Sequence, residues 1–250
     1  MKGNSSLLKH IPNFITSLNL VSGCIAISLS FDPGLLRYAP WFIFLAAAFD
    51  FCDGFAARLL HAYSEVGKQL DSLADIVSFG VAPGMLVFQL MRMVFIRHDT
   101  FFSLTSPGVE QFIFLLACSI IPVAGAFRLA KFNLDDSQKY SFSGLPIPAN
   151  AFFFASLLLL LYFTKSDTIR NLILERHILL TLTLLFSFLM VSSIPMLSLK
   201  FNTLRFGENL PRYIIIAGAL TLVTLAGFAG LFLVIPFYIL VSILFRPKEG

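Results

Sequence analysis

Four carboxylates raise the first question. Asp50, Asp53, Asp71 and Asp75 lie within the stretch DFCDGFAARLLHAYSEVGKQLDSLAD, which is flanked on both sides by apolar runs. With a step of ~100° per residue, Asp50, Asp53, Gly54, Ala57 and Arg58 fall on one helical stripe about 140° wide. Phe49, Phe51, Phe55 and Leu59 point elsewhere. Gly67, Asp71, Asp75 and Ser78 share a second stripe of the same kind. Gly54, Ala57 and Gly67 keep both stripes shallow, so a ligand can approach the backbone. If the two helices are neighbours, the acidic stripes can face each other.

Carboxylates packed this way repel one another, and each costs ~2.5–3.5 kcal/mol at the centre of a bilayer, less near its surface. Something cationic must offset them. Ion pairing with Arg58 and Lys68 cannot balance four anions. One or two divalent cations can, and an all-oxygen ligand set suits Mg²⁺ or Mn²⁺. Paired metals sharing carboxylates are a recurrent arrangement for displacement at phosphorus. An ion-coupled transporter is the alternative, because acids inside a membrane also mark ion pathways. An EF-hand is excluded. With Gly54 at the sixth loop position, Phe49 and Leu60 fall at the first and twelfth, where a calcium loop needs acids.

The elements that must position these residues read as membrane helices. Of 250 residues, 57% are hydrophobic and 13% charged, against roughly a quarter charged in a soluble domain. The mean hydropathy is +0.85. Several apolar runs approach the ~20 residues that span a bilayer. Their alternation is too weak for a transmembrane β-barrel. The fold class expected is an all-α polytopic membrane protein, one transmembrane domain over 1–250. Apolar runs predict spans at 12–31, 39–60, 69–96, 109–131, 149–164 and 176–195. A final run, 213–245, is too long for one helix and is split at Gly227 and Gly230. That predicts eight transmembrane helices, with seven as the alternative.

Charge sets an orientation. A cytoplasmic N-terminus puts Lys2, Lys9, Arg58, Lys68, Arg128, Lys131, Lys139, Lys200, Arg205, Arg212, Arg246 and Lys248 on the cytoplasmic side, twelve of the 18 basic residues. That is the sense of the positive-inside rule. The Arg92/Arg97/His98 loop runs against it. The net charge of +4 gives a basic cytoplasmic face that attracts anionic head groups and nucleotides. Nothing suggests nucleic-acid recognition. LVSGC (Leu20 to Cys24) has the look of a lipoprotein cleavage site, but the polar Asn13, Thr16, Ser17 and Asn19 make the segment read as a first helix. Cys24, Cys52 and Cys118 lack metal-ligand spacing and read as buried small side chains without a disulfide.

The pattern Asp50-x2-Asp53-Gly54-x2-Ala57-Arg58-x8-Gly67-x3-Asp71-x3-Asp75 resembles the signature of the CDP-alcohol phosphotransferases. These are integral membrane enzymes that transfer a phosphoalcohol group from a CDP-linked donor to an acceptor hydroxyl and release CMP. Every fixed position is filled. QLDSLADIVSFGVAP (Gln69 to Pro83), FRLAKFN (Phe127 to Asn133) and FSGLPIPAN (Phe142 to Asn150) resemble the membrane-embedded, phosphatidylserine-forming bacterial branch of this family. The resemblance covers roughly 5–165, with 166–250 as additional C-terminal helices. Lys131 stands where arginine is commoner, a point charge in place of a fork.

The resemblance implies roles. Asp50, Asp53 and Asp71 would hold a first divalent ion, and Asp50, Asp71 and Asp75 would bear on a second. Asp75 would also be the general base on the acceptor hydroxyl, which makes Asp71 and Asp75 the catalytic pair. Gly54, Ala57 and Gly67 would let the cytidine nucleotide lie against the helices, and Arg58 would contact a donor phosphate. Pro12, Asn13 and Thr16 of PNFIT, with Ser64 and Lys68, would complete the nucleotide pocket. Ser78, Arg128, Lys131 and the GLPIP loop are candidates for acceptor binding. The implied cofactor is Mg²⁺ or Mn²⁺, two ions. The implied substrates are CDP-diacylglycerol and L-serine, with glycerol 3-phosphate or an inositol phosphate as alternative acceptors. A homodimer in the bacterial cytoplasmic (inner) membrane is implied, its active site facing the cytoplasm. His10, His61, His98 and His177 show no ligand spacing and receive no role.

Overall fold

The computed structural model describes residues 10–97, 108–134, 142–198 and 206–245. His98 and, among the residues used to orient the chain, Lys2, Lys9, Lys139, Lys200, Arg205, Arg246 and Lys248 lie outside the described residues. Among the described residues, the regular structure is helical apart from one two-stranded pairing.

Helix α1 (His10–Ser30) packs along α2 (Ala39–Leu59), which a proline at its first turn opens. Helix α3 (Glu65–Asp75) starts at Ser64, whose hydroxyl accepts from Gly67 N at 3.0 Å. This is an ordinary Ser cap satisfying an orphan N–H. A π-helical turn, Ile76–Val81, continues α3 into α4 (Ala82–Arg97). Such turns are uncommon and cluster at functional sites. Helix α5 (Val109–Leu134) returns, and α6 (Ile147–Phe163) follows the strand β1 (Phe142–Ser143). The short α7 (Asp167–Ile173) bends by 59° into α8 (Arg176–Val191). Strand β2 (Pro195–Met196) pairs antiparallel with β1, and α9 covers Phe206–Leu244.

Successive long helices alternate in direction. At one end the start of α3 meets the end of α5, where Lys68 Nζ donates to Asn133 O at 3.4 Å. The chain leading into α6 meets the end of α8 at the same end, where Leu145 N donates to Leu189 O at 2.9 Å. At the opposite end Arg176 pairs with Glu110 at 2.7 Å and Arg97 donates to Asn171 at 2.6 Å.

Helix α9 is a hairpin. Gly227 has φ 55° and ψ −125°, a left-handed φ that glycine adopts freely. The two limbs return to the same place. Arg212 Nε donates to Ser198 O at 2.8 Å, and Tyr238 Oη donates to Leu197 O at 2.9 Å. A Cβ on Gly218 would overlap the Phe237 ring, so the limbs touch face to face. At the tip, Phe228 stacks on Phe163 with centroids 4.4 Å apart. The expected break in the last apolar run is therefore a reversal at Gly227.

Among the described residues, four helical stretches can cross a membrane by length and composition: His10–Ser30, Glu65–Arg97, Val109–Leu134 and Asn209–Leu244. The bent pair α7/α8 would make a fifth. The protein is an all-α chain with several apolar helices fit for multiple passes. The largely aliphatic core holds an aromatic stack, Phe153 on Phe186 at 3.7 Å, while Phe51 and Leu59 are 68% and 66% exposed. One expectation is corrected. Only Cys118 is buried, and Cys24 and Cys52 lie on outward faces, because on both helices the inward faces are taken by α1–α2 packing and the polar site.

Candidate active site

The two acidic stripes meet. Asp50 and Asp53 from α2 and Asp71 from α3 each offer a carboxylate oxygen, all within 4.8 Å of one another. Asp53 is buried, and Asp50 and Asp71 are half-buried. Asp53 Oδ2 and Asp71 Oδ1 are enclosed without a hydrogen-bond partner. Among the described residues, no lysine or arginine forms an ion pair with any of the four aspartates. A hard divalent cation is what such a donor set lacks, since buried charges are paired or coordinate metals. The residues present therefore fit a metal.

Asp75 sits one helical turn beyond Asp71 and outside that trio. It is buried, meets the Asp50 carboxyl, and accepts from Asn19 Nδ2 at 3.2 Å. Asn19 is fully buried, and its backbone oxygen accepts from the Ser78 hydroxyl at 3.0 Å. α1 can come this close because Gly23 faces Ser78, whose Oγ a Cβ would overlap. Ser78 is thus a buried strut between α1 and the π-helical turn, and it lines neither cavity described below.

Beside the trio lies a cavity of about 260 Å³. Its walls include Pro12, Asn13 and Thr16 from α1, Gly54, Ala57 and Arg58 from α2, and Ser64, Gly67 and Lys68 from the start of α3. Asp53 and Asp71 form the border with the carboxylate cluster. Gly54 has open space above it, so its missing side chain leaves room in the cavity. Gly67 differs: an added Cβ would come within 2.7 Å of Asn13 Oδ1. Thr16 Oγ1 donates to Pro12 O at 3.0 Å and lies within hydrogen-bond reach of Asp53. Every residue expected at the nucleotide pocket thus borders one space. Ala62 and Tyr63 also line it. They carry no motif, and only their place between Arg58 and Ser64 hinted at them. Asn19 was missed too, although its spacing from Pro12 and Thr16 puts all three on one face of α1.

A second cavity, about 420 Å³, is lined by Phe127, Arg128, Lys131, Ser143, Met190, Val191 and Ser192. Arg128 is buried, with Nε unpartnered, and lies within electrostatic range of Asp75. Asn133 Nδ2 donates to Ser72 Oγ at 2.8 Å, which ties the end of α5 to α3. The wall between α5 and α8 rests on Gly144, with φ 78°; a Cβ there would come within 2.5 Å of Met190 O.

A fold of apolar helices around a carboxylate trio and a polar cleft defines a class. The family model of the CDP-alcohol phosphatidyltransferases matches residues 9–189, and the chain belongs to that family. Among curated relatives, the CDP-diacylglycerol–serine O-phosphatidyltransferase of Bacillus subtilis is 39% identical over 56% of this chain and 71% of its own length. The Helicobacter pylori protein of the same name is 28% identical over 96% of both chains. The archaetidylserine synthase of Methanothermobacter thermautotrophicus is 33% identical over 62% of this chain and 60% of its own. Membrane transport, open on the aspartates alone, has no support in this kinship.

Proposed function

We propose that the protein transfers the phosphatidyl group of CDP-diacylglycerol to the hydroxyl of L-serine, giving phosphatidylserine and CMP. One observation carries this reading: the cavity bounded by Asn13, Gly54, Arg58 and Gly67 opens directly onto the Asp50/Asp53/Asp71 trio. A nucleotide lying on the glycine floor presents its pyrophosphate to the carboxylates. The names of the relatives support serine as acceptor.

Asp50, Asp53 and Asp71 would hold one Mg²⁺ or Mn²⁺, and Asp50, Asp71 and Asp75 would bear on a second. Such ions neutralise the pyrophosphate and the departing CMP. Arg58 borders the nucleotide cavity and would grip a donor phosphate as a charge-assisted fork. The serine oxygen attacks the phosphorus next to diacylglycerol, the bond from that phosphorus to the CMP oxygen breaks, and Asp75 takes the hydroxyl proton. A serine hydroxyl is a poor nucleophile at neutral pH, so the base must stand within hydrogen-bond reach of it. Asn19 holds the Asp75 carboxyl in place. Arg128 and Lys131, at the second cavity, would meet the serine carboxylate. Ser78 would act only through Asn19.

The catalytic core would be 5–165, with 166–250 added to it, in one domain crossing the bacterial inner membrane eight times. The alternating helices and the reversal at Gly227 support that count. The active site would face the cytoplasm, where CTP-derived donors and serine are available, in a homodimer. Purified protein in detergent, with Mn²⁺ or Mg²⁺ and CDP-diacylglycerol, is offered L-serine, glycerol 3-phosphate or an inositol phosphate while CMP is measured. CMP release with serine alone is expected. Release with another acceptor and none with serine would sink the assignment.

A further inference from the structure

The C-terminal hairpin α9 lies beyond residue 189, where the family match ends. Its limbs nevertheless grip one short segment beside the Arg128 cavity. Arg212 from the first limb bonds Ser198 O, and Tyr238 from the second bonds Leu197 O. Ser242, one turn beyond Tyr238 and fully buried, accepts from Leu197 N at 3.3 Å. Both polar backbone groups of Leu197 are thus satisfied by the hairpin. Leu197 directly follows β2, and β2 pairs with β1, in which Ser143 opposes Pro195. Gly144 N donates to Ile194 O at 2.9 Å. Ser143 and Ser192, on the two sides of this pairing, are walls of the Arg128 cavity. The Tyr238 phenol is buried and lies within electrostatic range of the Arg128 guanidinium.

We propose that Tyr238 and Ser242 are positioning residues for the acceptor: the hairpin clamps the β1–β2 wall and so sets the shape of the cavity around Arg128. The inference rests on the reading of that cavity as the serine site. The physical argument is one of location. The clamp reaches the cavity wall through three hydrogen bonds, made by Arg212, Tyr238 and Ser242, and a strand pairing. Among the described residues, none of the hairpin lines the cavity formed by α1, α2 and the start of α3. Loosening it should disturb acceptor binding and leave the donor alone.

The test compares four full-length variants in detergent, with KM measured separately for serine and for CDP-diacylglycerol, and with thermal midpoints recorded. Tyr238→Phe keeps the ring and removes the hydroxyl, and Ser242→Ala removes the second bond. Each forfeits one buried hydrogen bond, which predicts a serine KM raised by roughly fivefold, with the donor KM within twofold. Phe228→Leu weakens only the hairpin tip, where Phe228 stacks on Phe163 and meets Trp41. It should lower the thermal midpoint without moving the serine KM. Arg128→Ala tests the cavity itself and should raise the serine KM most. If Arg128→Ala raises it and the two clamp variants do not, the clamp is refuted and the serine site stands. If Arg128→Ala leaves it unchanged, the serine site fails and the clamp falls with it. A rise for Phe228→Leu equal to that for Tyr238→Phe would also overturn the proposal, since general loosening would then explain both.

Discussion

At the scale of single residues, the site separates two kinds of glycine. Gly54 faces open cavity, and Gly67 faces the Asn13 amide at a distance no Cβ tolerates. Gly54→Ala should therefore leave the thermal midpoint within about a degree while weakening CDP binding several-fold, because its methyl occupies ligand space. Titration calorimetry with CDP and Mn²⁺ reads this directly, and unchanged affinity would show the nucleotide lies elsewhere. Asp75→Asn is the sharper case. Asn19 can still bond the new amide's oxygen, so the fold should persist. Removal of a general base predicts a drop in turnover of ~10²–10⁴-fold, with Mn²⁺-dependent CDP binding retained through Asp50, Asp53 and Asp71. Turnover within tenfold of the parent would remove Asp75 from that role. The four aspartates and their two stripes could be read from spacing alone, because helical periodicity is local. Asn19 could not be assigned, since its partner stands 56 positions away in the chain.

At the scale of elements, the β1–β2 pairing is small and consequential. The GLPIP segment reads in the sequence as a loop and a candidate for acceptor binding. Its first residue, Gly144, has φ 78° and is hemmed in by the carbonyl oxygens of Leu189, Met190 and Ser192. A left-handed non-glycine residue costs about 1–3 kcal/mol even without a clash. Gly144→Ala should lower the thermal midpoint of the detergent-solubilised protein clearly, where Gly54→Ala does not. Equal midpoints for the two would contradict the packing at the α6 entrance. Helix positions followed the apolar runs closely, as at α6, expected over 149–164 and found at Ile147–Phe163. The π-helical turn Ile76–Val81 had no such signal, because a widened turn changes no residue type and answers to the packing of α1 and α5 against it.

At the scale of the whole molecule, alternation of the helices has a topological consequence. In a cysteine-free background, single cysteines at Glu65 and Gly207 should react with an impermeant maleimide from one side of sealed vesicles, and one at Asp167 from the other. Glu65 opens α3 beside the nucleotide cavity, and Asp167 opens α7 at the opposite end. Labelling of all three from one side would end the proposal of eight crossings. What the sequence determined by itself is what neighbours in the chain decide: apolar length, stripe periodicity, and a signature dense enough to mark a family. What only the tertiary structure decided is which distant faces meet. The trio closes because α2 and α3 both pack against α1. Asn19 reaches Asp75 because Gly23 lets α1 lie close. The hairpin meets the Arg128 wall because Gly227 turns it back. Each is a contact between segments far apart in the chain, set by close packing of the bundle, and no local pattern records it.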